Sequence, residues 1–546
     1  MNRNRIYKTF ACTVFLWGFC GWSFAQIGHG GTPYSFNKKP LDTFSVAVLP
    51  ALDNQLLLAQ EEITDKEDGY PFGKEIAVDF RLDNAGSWED LPNGGRLWRL
   101  GIESKEAHSI NLIFDSFYIP SASHLFIYTA DRSFVLGSFT VKNNNRWGNF
   151  ATTLLPGDAI VLEFYEAAQD KNNAIINLST VIHGYKDFFF NKNNKQQKGT
   201  YGNSASCNVN INCEIGIPFQ DVKRAVALIL RGTHALCSGT LINNTAQDRT
   251  PYFLTAHHCY SLSGFKTSNW VFIFNYESDC EDNKPTATYS INGATVVASC
   301  DTSDFCLLLL NDIPPVEYNP YYAGWNRKDI LYTRSAGIHH PQGDFKKISA
   351  SKETLEHGKG KEEKTEYPDS THYVVSWDKG LTQYVSSGSA LFNLNSLIIG
   401  QLDGGWIVNC NDSLRQDWYG KIAYSWTNGN HSDSNRLDYW LDPLGLGVDS
   451  LKGLGTDSLI VKDSSKHEKR ISVYPNPVAT QLHIRSEDMP LKNLAIYDMI
   501  GRKMVEQTAI QSHECVLNME SLHAGLYMLK IETENGFFTK KIGVIK

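Results

Sequence analysis

The chain has 546 residues, of which 42% are hydrophobic and 20% charged, and its net charge is -8. That length suffices for three or four domains with separate cores. Mild acidity with both signs interspersed excludes a broad nucleic-acid-binding face, so partners are to be sought at a localised site.

Residues 1–25 carry Arg3, Arg5 and Lys8, an apolar run from Phe10 to Phe19, and small residues ending at Ala25. This pattern predicts a secretory signal cleaved after Ala25, with an apolar centre too short for a good membrane span. Cys20 would suit a lipid anchor, but bulky Trp17 and Phe19 precede it. No later stretch has the length and purity of a membrane helix, so the mature chain is expected to have no transmembrane segment. Of eleven cysteines, Cys12 and Cys20 leave with the signal, eight lie between Cys207 and Cys410, and Cys515 stands apart as a buried thiol. An even cluster in an exported chain predicts four disulfides. None of the eight has C-x-x-C spacing, which argues against a zinc site.

Residues 26–198 alternate short apolar runs with turn signals: Leu97 to Ile102, Ile110 to Ile119, His124 to Tyr128, Phe134 to Phe139 and Ala159 to Tyr165. They predict an all-β domain with one helix around Leu56 to Asp65. The polar run Asn191 to Gly199 has too few apolar groups to pack and predicts an exposed, cuttable linker, so a propeptide is the natural reading of what precedes it. From 202 to 451 strand signals continue at Ala225 to Leu230, Tyr252 to Thr255, Val271 to Asn275, Phe305 to Leu310, Tyr373 to Trp377 and Leu397 to Leu402. So many short strands fit a double β-barrel, closed by a helix over Arg436 to Asp442 that packs on the second barrel. His357 to Thr365 is charged and glycine-containing, and is expected as a solvated loop. Residues 452–470 form a polar linker, and 471–546 predict a β-sandwich with strands at Ile471 to Tyr474, Gln481 to Arg485, Leu494 to Tyr497, Lys503 to Glu506, Glu514 to Leu517, Gly525 to Glu532 and Phe537 to Val544.

The chemistry gathers in the second of these regions. In C-S-G-T-L-I-N-N-T-A-Q-D-R-T-P-Y-F-L-T-A-H-H-C, His258 directly precedes Cys259, whose obvious partner is Cys237; that bond would pin the histidine backbone. Asp304 lies in S-D-F-C-L-L-L-L and Ser387 in V-S-S-G-S-A. A histidine, an aspartate and a serine in this order supply a base, an orienting acid and a nucleophile, the chain order of the chymotrypsin-type triad. His257 and the pair His339-His340 offer further imidazoles, but no H-E-x-x-H accompanies them, and no metal or other cofactor is expected.

With these residues aligned, 202–451 resembles lysyl endopeptidase, a bacterial secreted family of trypsin-like serine proteases. The phrases that carry the resemblance include T-S-D-F-C-L-L-L-L-N, A-G-W-N-R-K-D, I-H-H-P, S-S-G-S, G-Q-L-D-G-G and W-L-D-P. It implies a chymotrypsin-like double β-barrel and the disulfides Cys207–Cys410, Cys213–Cys280 and Cys237–Cys259. Cys300 and Cys306, which flank Asp304, are expected to pair with each other. The resemblance further implies that Asp417 in R-Q-D-W-Y-G receives a substrate lysine and that Gly404 and Gly405 line its pocket. The trypsin position for that acid, six before the serine, is Leu381. Where the family carries a histidine in G-Q-L-x-G-G, this chain has Asp403. Oxyanion stabilisation would come from the backbone N–H groups of Val385 and Ser387. The trypsin-like pattern has glycine at the first of these, and a misplaced donor would cost about 2.7 to 4 kcal/mol. Ser386 stands where trypsin-type zymogens place an aspartate, so activation by a buried N-terminal ion pair is not expected.

The tail, with S-V-Y-P-N-P, I-Y-D-M-I-G-R-K and L-H-A-G-L-Y-M-L-K-I, resembles the C-terminal sorting domain of type IX secretion cargo. Residues 26–198 resemble the propeptide ahead of such proteases. The expectation is a mainly β, secreted or cell-surface serine endopeptidase that cuts protein or peptide substrates after lysine and engages the type IX secretion machinery. The competing readings are a catalytically impaired protease-fold adhesin or binding protein, and a protease of arginine or broader specificity.

Overall fold

The computed structural model describes residues 25–37, 44–61, 69–187, 204–261, 266–280, 288–360, 370–406, 409–412, 415–427, 432–456, 471–486, 490–498, 503–533 and 536–545. The expected signal, the linker at Asn191 to Gly199 and most of the linker at 452–470 lie outside them. The fold is mainly β and falls into two compact units, Met1–Leu454 and Gly455–Lys546.

Within the first unit, the N-terminal domain is two sheets packed face to face. One runs Phe150–Ala151, Ser109–Tyr118, Ile175–Gly184, Gly73–Arg81; the other runs Val46–Val48, Arg96–Glu103, Ala159–Glu166, His124–Thr129, Val135–Phe139. Alternate residues such as Leu112, Phe114, Leu125, Ile127, Leu162 and Phe164 turn inward to one apolar core, as the period of a strand requires. The helix expected near Leu56 is Asn54–Glu61.

The next two sheets are the two barrels. The first passes through Tyr289–Asn292, Val271–Phe274, Val226–Arg231, His234–Leu241, Tyr252–Ala256, Phe305–Leu310 and Ala294–Cys300. Two short N-terminal strands join it: Ala25–Gln26 pairs in parallel with Tyr289 and Ser290, and Tyr70–Pro71 pairs with His234 and Ala235. The second barrel orders Val209–Asn210, Lys347–Thr354, Thr333–His339, Ala390–Asn393, Ile398–Gly405, Gln416–Lys421, His372–Ser376 and Glu356–Gly358. Glu356–Gly358 lies in the segment expected as loop, because its backbone pairs with His372, Tyr373 and Val374; residues 361–369 lie outside the described chain.

The closing helix shrinks to one turn, Asp438–Leu441, and it packs on the first barrel as well as the second, where the Leu437 amide donates to the Ser425 carbonyl at 3.0 Å. The Leu441 carbonyl accepts from the Thr245 amide at 2.9 Å, and Trp440 meets Tyr252 edge to face. Leu437 and Leu441 are fully buried in the core that the two barrels share, so the apolar spacing was real although the helix is short.

Three disulfides form: Cys207–Cys410, Cys213–Cys280 and Cys237–Cys259. The fourth expected bond, Cys300–Cys306, does not. In the antiparallel ladder Cys306 lies opposite Ser299 and Cys300 opposite Phe305. Their register positions differ by one, so the two side chains leave opposite faces of the sheet.

The second unit is a sandwich of a three-stranded sheet (Ile471–Tyr474, Gln481–Ser486, Glu514–Asn518) on a four-stranded one (Lys503–Gln507, Leu491–Asp498, Gly525–Thr533, Gly536–Val544). Leu482, Ile484, Leu494, Ile496, Leu529 and Ile531 fill its core, and Cys515 is buried there as a thiol.

Candidate active site

Strand Tyr252–Ala256 delivers the chain to the short helix His257–Ser261, and the Cys237–Cys259 bond ties that helix to the neighbouring strand. Closing a loop of this size stabilises the fold by about 3 kcal/mol. Ala256 pairs with Phe305, so Asp304 arrives opposite the two histidines at the end of the ladder. Asp304 takes a left-handed φ of 53°, which a short polar residue tolerates, and its own carbonyl accepts from the His257 amide at 2.8 Å. One carboxylate oxygen accepts from the His258 amide at 2.9 Å and the other meets His258 Nδ1 at 2.8 Å. Asp304 therefore fixes both the backbone and the ring of His258. Burial lifts the Asp304 carboxyl to about 7, against the opposing pull of His258.

Ser387 sits on the facing barrel. Its carbonyl accepts from the Ser238 amide at 2.9 Å, and the next residue, Gly388, donates to Leu402. A Cβ on Gly388 would fall 2.7 Å from the Ala256 nitrogen, and its φ is 78°. Only glycine lets the serine turn press this closely on the end of the strand that leads to His258. The hydroxyl of Ser386 meets His339 Nδ1 at 2.8 Å. Burial pushes His339 down to about 3, so its ring is neutral and the residue before the serine has an uncharged partner.

Val385 holds φ at 75°, a region a β-branched residue rarely enters. Its carbonyl accepts from Ser238 Oγ at 2.8 Å, and its side chain is buried among Tyr70 and Phe72 of the N-terminal domain and Leu228, Leu230 and Phe345 of the barrels. The valine thus takes a glycine-like backbone conformation, stabilised by packing that a glycine would lack.

Asp417 is 3% exposed. One of its oxygens accepts from Trp377 Nε1 and, at 2.8 Å, from Thr382 Oγ1. The other lies directly over Gly405, its partner across the ladder, where a Cβ would collide with it. Gly404 lies opposite Trp418. Leu381 is buried and apolar, whereas Asp417 is a buried acid.

Asp403, which stands where the family carries a histidine, lies close to His258 and Asp304. Ligand-type atoms of Asp403, His258 and Asp304 all lie within 4.8 Å of one another, and Asp403 Oδ2 is 3.5 Å from Nε2 of His372. Burial pushes His372 down to about 4. Sequence reading missed His372, Trp377 and Thr382; each acts through a contact more than thirty residues away along the chain, and no local motif marks it.

Residues 201–420 match the family described as "Lysyl endopeptidase, C-terminal domain", and residues 472–546 match "Secretion system C-terminal sorting domain". A lysyl endopeptidase of Pseudomonas aeruginosa is 26% identical over 257 residues, covering 44% of this chain and 50% of the relative. The chain thus spans about half the length of the curated relative it matches. Among solved structures, the Rv3671c protease of M. tuberculosis aligns in its inactive form with 17% identity and TM-score 0.25 over 38% of this chain and 87% of that one. Its active form aligns with 17% identity and TM-score 0.26 over 37% and 78%. The sorting tail makes this a secreted or cell-surface protein. Over its paired barrels the chain resembles the lysyl endopeptidase-like, trypsin-type serine proteases, and it ends in a type IX secretion sorting domain.

Proposed function

We propose that the chain is a secreted serine endopeptidase, made as a zymogen, that hydrolyses peptide bonds on the carboxyl side of lysine. The observation that carries this reading is the doubly bonded His258–Asp304 pair set at the barrel seam, with the Ser387 turn packed against the strand leading into it. With Nδ1 held by Asp304, the other ring nitrogen of His258 takes the Ser387 proton as the hydroxyl attacks the substrate carbonyl. The Val385 and Ser387 amides stabilise the oxyanion, His258 returns the proton to the leaving amine, and water then releases the acyl group by the same route. The positive φ of Val385 favours an enzyme over a disabled binding protein, because it gives the loop the backbone form that glycine would supply.

Asp417 accounts for lysine. A buried carboxylate beneath bare Gly405 offers a cationic side chain the counter-charge that burial demands. Residues 26–198 serve as propeptide, adding strands to the first barrel and covering Val385, and Lys198–Gly199 is the candidate self-cleavage bond. Cleavage-site mapping on a denatured protein mixture tests the specificity. Cuts confined to the carboxyl side of lysine are expected; cuts after arginine or apolar residues would overturn the assignment of Asp417.

A further inference from the structure

Strand His234–Leu241 pairs with Val226–Arg231 along one edge, and its other edge runs past Ser387. On that second edge Thr240 and Leu241 pair with Leu254 and Phe253, and the Ser238 amide donates to the Ser387 carbonyl at 2.9 Å. Farther along, Ala235 and His234 pair with Tyr70 and Pro71 of the N-terminal domain. The guest segment has a direction. Gly69 comes first, with its Cβ position 3.2 Å from the Leu236 Cα, and the chain then runs away from Ser387 past Ala235 and His234. Under the protease reading, cleavage divides a substrate into an acyl half, whose lysine reaches Asp417 on the second barrel, and a leaving half, whose new amino terminus lies at Ser387 and whose chain runs outward. Residues 69–72 have the polarity of the leaving half. Ser238 and Leu236 are two residues apart, roughly 7 Å along a strand, which sets Gly69 at about the second residue after the broken bond and Tyr70 and Phe72 at about the third and fifth.

The barrel meets Tyr70 and Phe72 with an apolar surface. Along Val226–Arg231, Ala227 and Ile229 enter the core shared by the barrels, whereas Leu228 and Leu230 face outward into the cluster that holds Tyr70, Phe72 and Val385. An outward apolar face of this kind is a binding surface once it is uncovered. On its far side the segment is tied to its own domain: Lys186 Nζ donates to the Pro71 carbonyl at 2.7 Å and the Tyr185 amide to the Phe72 carbonyl at 3.0 Å. We propose that the edge at Ala235 and His234, with Leu228, Leu230 and Val385, is a subsite for the leaving half of the substrate that selects aromatic side chains at about the third and fifth residues after the lysine. Residues 69–72 fill it in the unprocessed chain as a mimic of the released product. The part in turnover rests on the protease reading above, whereas the binding of an aromatic peptide does not.

The test uses the full chain carrying Ser387→Ala, so that binding is read without turnover, with Phe72→Ala added to loosen the occupant. A fluorescent peptide G-Y-P-F-G-K with a free amino terminus should bind this double variant about tenfold or more tightly than it binds Ser387→Ala alone, and by a similar ratio more tightly than G-S-P-S-G-K binds. A photoreactive group in place of its phenylalanine should label Val226–Arg231. Gly69 has a φ of 100° and its Cβ would lie 2.6 Å from the Ala235 carbonyl oxygen. Gly69→Ala therefore displaces the segment without emptying its cluster, and gives the same reading should Phe72→Ala fail to fold. In the processed chain with Ser387 intact, kcat/KM for peptides with phenylalanine at both positions should exceed that for serine at both about tenfold or more. Equal affinity for the aromatic and serine peptides, or labelling confined to other strands, overturns the inference. Tight, correctly placed binding by a chain whose Ser387 proves inert would retain the subsite and remove only its part in catalysis.

Discussion

At the scale of single residues, the site depends on charges held out of water. Asp304 is raised by burial, so the folded chain keeps a proton that the unfolded chain has already shed. The stability tied to that proton is present at low pH and is lost as pH rises from about 4 toward about 7. Asp304→Asn removes the group, and melting temperature followed across this window should decline less steeply than in the parent. The same change should lower kcat about 10⁴-fold, because the ring of His258 loses the partner that sets its tautomer. Activity in the parent should rise with pH as the pair gives up its proton. Asp417→Asn leaves a bound lysine without a counter-charge and should lower kcat/KM for lysyl substrates roughly hundredfold, equivalent to about 3 kcal/mol, with a smaller effect on neutral ones. His258, Asp304, Ser387 and Asp417 could be nominated because each lies in a distinctive phrase of sequence, and the structure bonds His258 to Asp304. The Cys300–Cys306 pairing was misjudged because proximity in sequence says nothing about which face of a ladder a residue takes. Alkylation of the unreduced, denatured mature chain should therefore modify three thiols, Cys300, Cys306 and Cys515, where the expected fourth bond would leave one.

At the scale of elements, strands bounded by strong turn residues were predictable and strands made by their partners were not. All seven strands of the C-terminal sandwich appear within three residues of their expected ends, since segments such as Pro475-Asn476-Pro477 cannot continue a ladder. Tyr70–Pro71 carries no pattern of its own and is a strand only because His234 and Ala235 present an edge. Phe72 follows it into a cluster with Leu228, Leu230 and Val385 and is fully buried. Phe72→Ala should cost about 3 to 5 kcal/mol and loosen the N-terminal domain from the barrel. Hydrogen exchange would show this as faster exchange at the Phe72 amide, which donates to the Thr233 carbonyl at 2.9 Å. Unchanged exchange there would mean that the cluster does not hold the domain in place.

At the scale of the whole molecule, the N-terminal domain, the paired barrels and the C-terminal sandwich each have a core of their own, and under the proposed reading they divide restraint, catalysis and export among them. Composition and cysteine placement suggest such a division in the sequence, whereas nothing in the sequence marks the strands that the N-terminal domain lends to the first barrel. The central claim is that Ser387 is an activated nucleophile. The most direct measurement treats the secreted chain, after removal of its N-terminal segment, with a fluorophosphonate and maps the adduct by mass spectrometry. The account predicts a single adduct on the peptide carrying Ser387, absent from Ser387→Ala. An unlabelled Ser387 in the processed, folded protein would contradict it.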